Sequence, residues 1–66
     1  MIANVPDGYT ALRYDRILSE RDLAMHIDFG FAREWLPKSQ IYDWFEDGEG
    51  KSIVVRTWLA EEKGLI

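Results

Sequence analysis

The chain has 66 residues, with eight Lys and Arg against twelve Asp and Glu, and a net charge of −4. A chain of this length buries only about 60% of its unfolded surface, so we expect one domain with one core over residues 1–66. The absence of cysteine excludes disulfides, thiolate zinc sites and cysteine nucleophiles. The acidic balance disfavours general nucleic-acid binding. No apolar run suits a membrane span and no signal peptide is evident, so we expect a cytoplasmic protein.

The first part of the chain carries a turn signal and an ambiguous apolar pattern. Pro6-Asp7-Gly8 is typical of a turn, because proline presets φ and glycine accepts positive values. We therefore expect residues 1–8 to lead into the fold. Neither a helical nor a strand period is clean in the residues that follow, and the prediction is a strand over about 13–18.

Two interpretations compete for residues 19–28. Ser19, followed three residues later by Asp22, imitates a helix N-terminal cap with its reciprocal partner. The apolar residues that alternate from position 23 onward favour a half-buried strand instead. The prediction is a strand over 23–29, with a helix as the alternative.

A glycine between two aromatic residues marks the next turn. Phe29-Gly30-Phe31 suits a tight hairpin better than a helix interior. The return strand over 31–36 would place Arg33 and Trp35 on one face, with the Arg33 side chain stacked on a ring or at the rim.

The segment 35–41, Trp-Leu-Pro-Lys-Ser-Gln-Ile, is the corner around which the rest of the chain is organised. Pro37 fixes its own φ and offers no N–H to a sheet, and it favours extended geometry at Leu36. We expect one strand to end at Leu36, the chain to change direction, and a new strand to run over 39–45.

Residues 46–51 combine two glycines with three acidic residues and no apolar residue. This composition predicts a hairpin loop of about five or six residues. The β-branched residues after it predict a strand over 52–56.

The tail 57–66 changes to a helical period. Thr57 is the predicted N-cap of a helix of about two turns, and Gly64 is the predicted left-handed residue that ends it. So short a helix is not stable alone, so Trp58 and Leu59 are expected to anchor it to the sheet.

These patterns predict a mainly β fold of the small α+β kind. Three or four short antiparallel strands would form a curled sheet or a small open barrel, with a short C-terminal helix. Trp35 and Trp58 are expected to pack in the core, because large aromatic side chains supply much buried area.

Two tryptophan motifs carry a resemblance: Trp-Leu-Pro-Lys-Ser-Gln at 35–40, and Trp-Leu-Ala with a Lys-Gly-Leu ending at 58–65. Together they resemble a group of small uncharacterised proteins from bacteriophages and prophages, over about residues 20–66. Members of that group often have proline two positions before the second tryptophan, where this chain has Arg56. The resemblance implies a phage or mobile-element origin and a shared small fold, and it implies no established activity.

No catalytic or metal-binding pattern stands out. His26, the single histidine, shares a strand face with Asp28, and two ligands are too few for a metal site. Ser39 and Ser52 lie in no nucleophile-elbow sequence. We therefore expect no enzyme activity, no cofactor and no metal.

The strand 39–45 and the loop after it form the main candidate binding surface. Aromatic residues flanked by charge are typical of protein interaction hot spots. The candidate partner-binding residues are Tyr42, Asp43, Trp44, Glu46, Asp47 and Glu49. We expect a non-enzymatic interaction module with a host protein as partner. In the phage context that the resemblance implies, its concrete form is an anti-CRISPR-like inhibitor of a host defence enzyme, acting in the host cytoplasm.

Two alternatives stay open. A small barrel that binds single-stranded nucleic acid would use Arg33, Trp35, Lys38 and Gln40, although the net charge disfavours this partner. A homo-oligomer with a self-complementary aromatic face is the other alternative.

Overall fold

The computed structural model describes residues 5–48 and 50–66, and 56% of these residues lie in strands. In chain order the described elements are β1 (Tyr9–Arg13), β2 (Arg16–Glu20), β3 (Ala24–Asp28), β4 (Arg33–Pro37), a 3-10 turn (Lys38–Gln40), β5 (Ile41–Asp47), β6 (Gly50–Arg56) and α1 (Thr57–Glu62). The predicted mainly β class with a short C-terminal helix is confirmed. The described strands number six, more than the three or four expected.

The strands form two antiparallel sheets of three. The first sheet has the order β1-β6-β5 and the second the order β2-β3-β4, and they do not close into a barrel in the described part of the chain. Each sheet has one face toward the shared core and one outer face. The central strands are β6 and β3.

The chain first crosses between the sheets directly after β1. The Tyr14 N–H donates to the Lys51 carbonyl oxygen at 3.1 Å, and the next N–H, of Asp15, donates to the Asp28 carbonyl oxygen at 2.8 Å. Consecutive residues are therefore bound to different sheets. The single strand predicted over 13–18 is wrong for this reason: the crossing divides it into the end of β1 and the start of β2.

The predicted corner carries the second crossing. Pro37 is the last residue of β4, at φ −67°, and the 3-10 turn leads from it into β5. The Lys38 N–H donates to the Leu23 carbonyl oxygen at 2.9 Å, which ties the turn to the second sheet. The strands before and after the corner thus lie in different sheets, and the later one begins at Ile41 instead of Ser39.

The core lies between the two sheets. Met25, Ile27 and Leu36 from the second sheet and Ile53 and Val55 from the first are all 0% exposed. Further buried members of this cluster are Tyr14, Phe29, Leu59, Ala60 and Leu65. Each fully buried aliphatic side chain contributes about 1.5–3 kcal/mol of transfer free energy. The period-two burial within β3 confirms the strand and excludes the helix alternative.

The turn between β3 and β4 is the hairpin predicted at Gly30. Gly30 adopts φ 92°, which favours glycine, and the Phe29 N–H donates to the Ala32 carbonyl oxygen at 2.8 Å. A Cβ atom at Gly30 would lie 3.0 Å from the Asp15 Oδ2 atom. This hairpin sets the register of β3 and β4.

The hairpin between β5 and β6 is tighter than predicted. Pairing continues to Asp47 and Gly50, well inside the range 46–51 that was predicted as a loop of five or six residues. Glu46 pairs with Lys51, so residues that were predicted to lie in the loop belong to the end of β5 and the start of β6. Because the sheet register continues to the turn, the acidic side chains before it lie on a strand.

The start of α1 differs from the prediction. Thr57 is the first helical residue, and no side chain caps the helix. Its Oγ1 atom instead lies 2.7 Å from that of Thr10, a hydrogen bond to β1. The N-cap prediction for Thr57 is therefore wrong.

The end of α1 follows the prediction. Gly64 adopts φ 69°, and its N–H donates to the Glu61 carbonyl oxygen at 3.1 Å. The Leu65 N–H donates to the Ala60 carbonyl oxygen at 2.8 Å, which completes a Schellman motif. The motif returns the Leu65 side chain to the core, where it is 7% exposed.

Candidate interaction surfaces

All three tryptophans lie at the surface. Trp35 is 41% exposed, Trp44 38% and Trp58 53%. The prediction that Trp35 and Trp58 pack in the core is wrong. In β4 the neighbouring Leu36 takes the inward position and is 0% exposed, so Trp35 points outward. In α1, Leu59 and Ala60 are buried and dock the helix. Trp58 points away from the core because consecutive helical residues point about 100° apart.

β5 contains a bulge at Tyr42. Ile41 pairs with Val55, and Asp43 already pairs with Val54, so Tyr42 is an extra residue in the register. The regular alternation of side chains along a strand is broken at that point. Side chains after the bulge change faces relative to those before it.

The bulge separates two aromatic side chains, Tyr42 and Trp44, that regular alternation would place on one face. Trp44 pairs with the core residue Ile53 and therefore lies on the core face, at the open edge of the sheet. Tyr42 is 58% exposed, and its ring lies 5.4 Å from that of Tyr9 on the outer face. The Arg56 guanidinium lies 4.6 Å from the Tyr9 ring centroid. The aromatic side chains of Tyr42 and Trp44 thus lie on opposite sides of β5.

The acidic side chains predicted for this surface are exposed wherever they are described. They are Asp43, Glu46 and Asp47, while Glu49 lies outside the described residues. Asp43 Oδ1 accepts the Trp44 N–H at 2.8 Å, and Glu46 lies 3.9 Å from Lys51 Nζ. We name Tyr42, Asp43, Trp44, Glu46 and Asp47 the β5 surface. It wraps around an edge strand instead of covering one face.

The negative charge of Glu46, on this acidic strand, affects the pKa of the buried Tyr14. Burial raises the pKa of the Tyr14 hydroxyl above its usual 10.0, and the negative charge of Glu46 raises it further. The neutral phenol is therefore the form that the fold favours.

A second surface lies on the outer face of the β2-β3-β4 sheet. We name it the arginine face. Its residues are Arg16, Arg21, His26, Asp28, Arg33 and Trp35. The register places Asp28 on the central strand between Arg16 and Arg33, whose Nε atoms lie 3.7 Å and 3.6 Å from Asp28 Oδ2. Both arginine side chains remain about two-thirds exposed.

Asp28 is nearly buried at the centre of this face. Its Oδ1 atom accepts the Gly30 N–H at 2.8 Å. That hydrogen bond, together with the nearby Arg33 and Arg16 charges, lowers the pKa of Asp28 below its usual 3.8, against the opposing effect of desolvation. Asp28 is therefore held ionised, and it orients two guanidinium groups that extend into solvent.

An aromatic pair occupies the other half of the arginine face. His26 and Trp35 are register partners, and their rings stack with centroids 4.7 Å apart and planes 8° apart. The Arg21 guanidinium carbon lies 5.9 Å from the Trp35 ring centroid. Three arginines and two flat rings thus share one outer sheet face.

The structure brings together only part of the alternative nucleic-acid set. Arg33 and Trp35 share the arginine face, but Lys38 Nζ is bound to Glu20 Oε2 at 2.7 Å. Gln40 lies on the 3-10 turn, where its Nε2 donates to Ser39 Oγ at 3.2 Å. Sequence reasoning missed Arg16, Arg21 and His26 as members. The alternation in β3 indicated only that His26 and Asp28 share a face.

Two further findings concern the described ranges alone. Within residues 5–48 and 50–66, no group of three or more His, Asp or Glu side chains is arranged to hold a metal ion. In the same ranges, no helix is long and apolar enough to cross a membrane.

Comparison with known proteins gives no relative from which a function could be transferred. No family model matches the chain, and no curated protein or solved structure is significantly similar to it. The resemblance to phage proteins stays a prediction from the two tryptophan motifs.

Proposed function

We propose that this chain is a non-enzymatic interaction module that binds another protein through the β5 surface. One observation carries the proposal: the edge strand β5 exposes two large aromatic side chains, Tyr42 at 58% and Trp44 at 38%. A domain this small depends on apolar burial for its stability. Large aromatic side chains outside the core are therefore available for contact with a partner.

The composition of the β5 surface favours a protein partner. Tryptophan and tyrosine are enriched at the positions that contribute most binding free energy in protein interfaces. Tyr42 and Trp44 lie on opposite sides of an edge strand, with Asp43 between them in the sequence. A partner that binds along this edge would contact the rings of both Tyr42 and Trp44.

The charge of the β5 surface favours a partner with a basic patch. Its acidic residues are exposed, and the whole chain carries a net charge of −4. Complementary charge accelerates association and selects against acidic partners. A protein with a basic nucleic-acid-binding groove fits this requirement, and in the phage context an inhibitor of a host defence enzyme such as a CRISPR effector is the concrete form of the proposal.

The test is affinity capture from bacterial host cells, followed by calorimetry with the purified candidate. The double variant Tyr42→Ala, Trp44→Ala removes both rings, and Trp58→Ala is the matched control, an exposed tryptophan on α1. We expect the wild type and the control to bind the same protein. The double variant should weaken the calorimetric Kd by about 30-fold or more, as loss of hot-spot residues does.

Two results would contradict the proposal. One is a partner that binds the double variant as tightly as it binds the wild type. The other is a chain that only associates with itself, which light scattering of the purified protein would show. Unfolding curves of each variant establish that a lost interaction is not a lost fold.

A further inference from the structure

We propose that the arginine face binds a short stretch of single-stranded nucleic acid, independently of the β5 surface. The two surfaces lie on different sheets and have opposite charge character. The argument rests on the geometry of six side chains on the outer face of β2, β3 and β4.

The guanidinium groups supply phosphate recognition. Arginine presents a planar fork of donors that matches phosphate oxygens and remains charged at any physiological pH. Arg16 and Arg33 lie on the two edge strands, and neighbouring strands are about 4.8 Å apart, so their backbones are about 10 Å apart across the sheet. Asp28 lies between them, within ion-pair distance of both, and leaves both side chains about two-thirds exposed.

On the strand positions of this face, the charge differs in sign from that of the whole chain. Among the described strand positions of this outer face, Asp28 is the one acidic residue, against Arg16 and Arg33. Outside the strands, Arg21 directly after β2 is accompanied by Asp22, and Asp15 lies directly before β2. Glu20, at the end of β2, is already paired with Lys38. The strand positions of this face therefore carry one more positive than negative side chain, which the net charge of the chain conceals.

The stacked rings supply base recognition. The His26 and Trp35 planes are 8° apart, and Trp35 is 41% exposed. Unpaired bases stack on exposed aromatic side chains, and a sheet face that carries aromatics beside arginines suits this mode of binding. An acidic peptide would satisfy the guanidinium groups but would leave the rings without a stacking partner. The combination favours single-stranded nucleic acid.

The experiment is a fluorescence anisotropy titration of a labelled ten-residue thymidine oligonucleotide with the full chain, from about 50 to 200 mM salt. Three phosphate contacts on a single strand predict a slope of about −2 for log K against log salt. Arg21→Gln should make that slope shallower by about 0.7, because one phosphate contact is lost. Trp35→Ala should weaken binding by about tenfold through the loss of stacking.

Matched controls separate this site from general charge effects. Arg56 lies over the Tyr9 ring on the other sheet, as Arg21 lies over Trp35, so Arg56→Gln removes an equivalent cation–π arginine. Trp58→Ala removes an exposed tryptophan from α1. Both controls should bind the oligonucleotide with the affinity and salt slope of the wild type.

Three outcomes would overturn the inference. The first is no saturable binding by the wild type at about 50 mM salt. The second is an equal loss of affinity in the control variants. The third is competition by deca-glutamate as effective as that by the unlabelled oligonucleotide, which would assign the face to acidic polypeptides. None of these results depends on the β5 surface, so the proposed protein interaction is tested separately.

Discussion

At the scale of single residues, Asp28 connects the fold to the arginine face. It is 8% exposed, yet its carboxylate bonds to the backbone of the β3-β4 turn and lies within ion-pair distance of two arginines on neighbouring strands. A nearly buried carboxylate of this kind needs such partners, because desolvation alone would favour its neutral form. The same contacts hold Arg16 and Arg33 in place.

The lowered pKa of Asp28 predicts how its contribution to stability depends on pH. The fold favours the ionised form, so the contribution is fully present above the ordinary pKa of 3.8 and is lost as the pH falls through the lower folded value. Asp28→Asn should therefore destabilise the protein at pH 7. The difference in unfolding free energy between the two proteins should shrink as the pH is lowered from about 5 to about 2.

Urea denaturation at several pH values measures this difference. Asp22→Asn, at an exposed position before β3, is the control and should change stability by about 0.5 kcal/mol or less at pH 7. A difference between the wild type and Asp28→Asn that stays the same at every pH would show that Asp28 acts through shape, not charge.

At the scale of elements, the sequence predicts β3, the Gly30 hairpin, the Pro37 corner and the end of α1. Each has a local cause: alternating burial, a glycine with positive φ, a proline without an N–H, and a Schellman glycine. Local patterns failed where a long-range contact decides the structure. The crossing at Tyr14 depends on hydrogen bonds to residues far along the chain, which no local period reveals.

The same limit applies to the bulge at Tyr42. A bulge inserts one residue into the pairing with β6, and the composition of β5 does not indicate where it occurs. A strand that alternates regularly would have placed Tyr42 and Trp44 together. The predicted residues of the β5 surface are exposed where described, but their division between two faces was not predictable.

The Schellman motif predicts a contrast between the last two residues. Leu65 is 7% exposed and belongs to the core, whereas Ile66 is 59% exposed. Leu65→Ala should lower the unfolding free energy by about 2 kcal/mol or more through loss of buried area and a residual cavity. Ile66→Ala should change it by about 0.5 kcal/mol or less.

Chemical denaturation of both variants tests this contrast. Equal effects would mean that the tail does not return to the core after Gly64.

At the scale of the whole molecule, composition conceals how charge is distributed. A net charge of −4 correctly indicates an acidic surface and gives no sign of the arginine face, whose members come from three strands and a turn. Their assembly depends on the register of β2, β3 and β4. The nucleic-acid alternative named from sequence thus shares two residues with this face, Arg33 and Trp35, and did not include Arg16 or Arg21.

The fully buried side chains are non-aromatic, and the aromatic residues of the core cluster are Tyr14 and Phe29 instead of the expected tryptophans. The six largest side chains that are fully buried are Met25, Ile27, Leu36, Ile53, Val54 and Val55. The side chains that fill the core are therefore different from the aromatic side chains that the two proposed interactions use. Both proposed interactions depend on this separation.

The most direct test compares two adjacent residues of β4 that point to opposite faces, by urea denaturation of Leu36→Ala and Trp35→Ala. Leu36→Ala should lower the unfolding free energy by about 2–5 kcal/mol or abolish the cooperative transition. Trp35→Ala should keep a cooperative transition and lose about 1 kcal/mol or less, since its ring lies outside the core. A loss at Trp35 as large as that at Leu36 would place the tryptophan in the core and contradict the account.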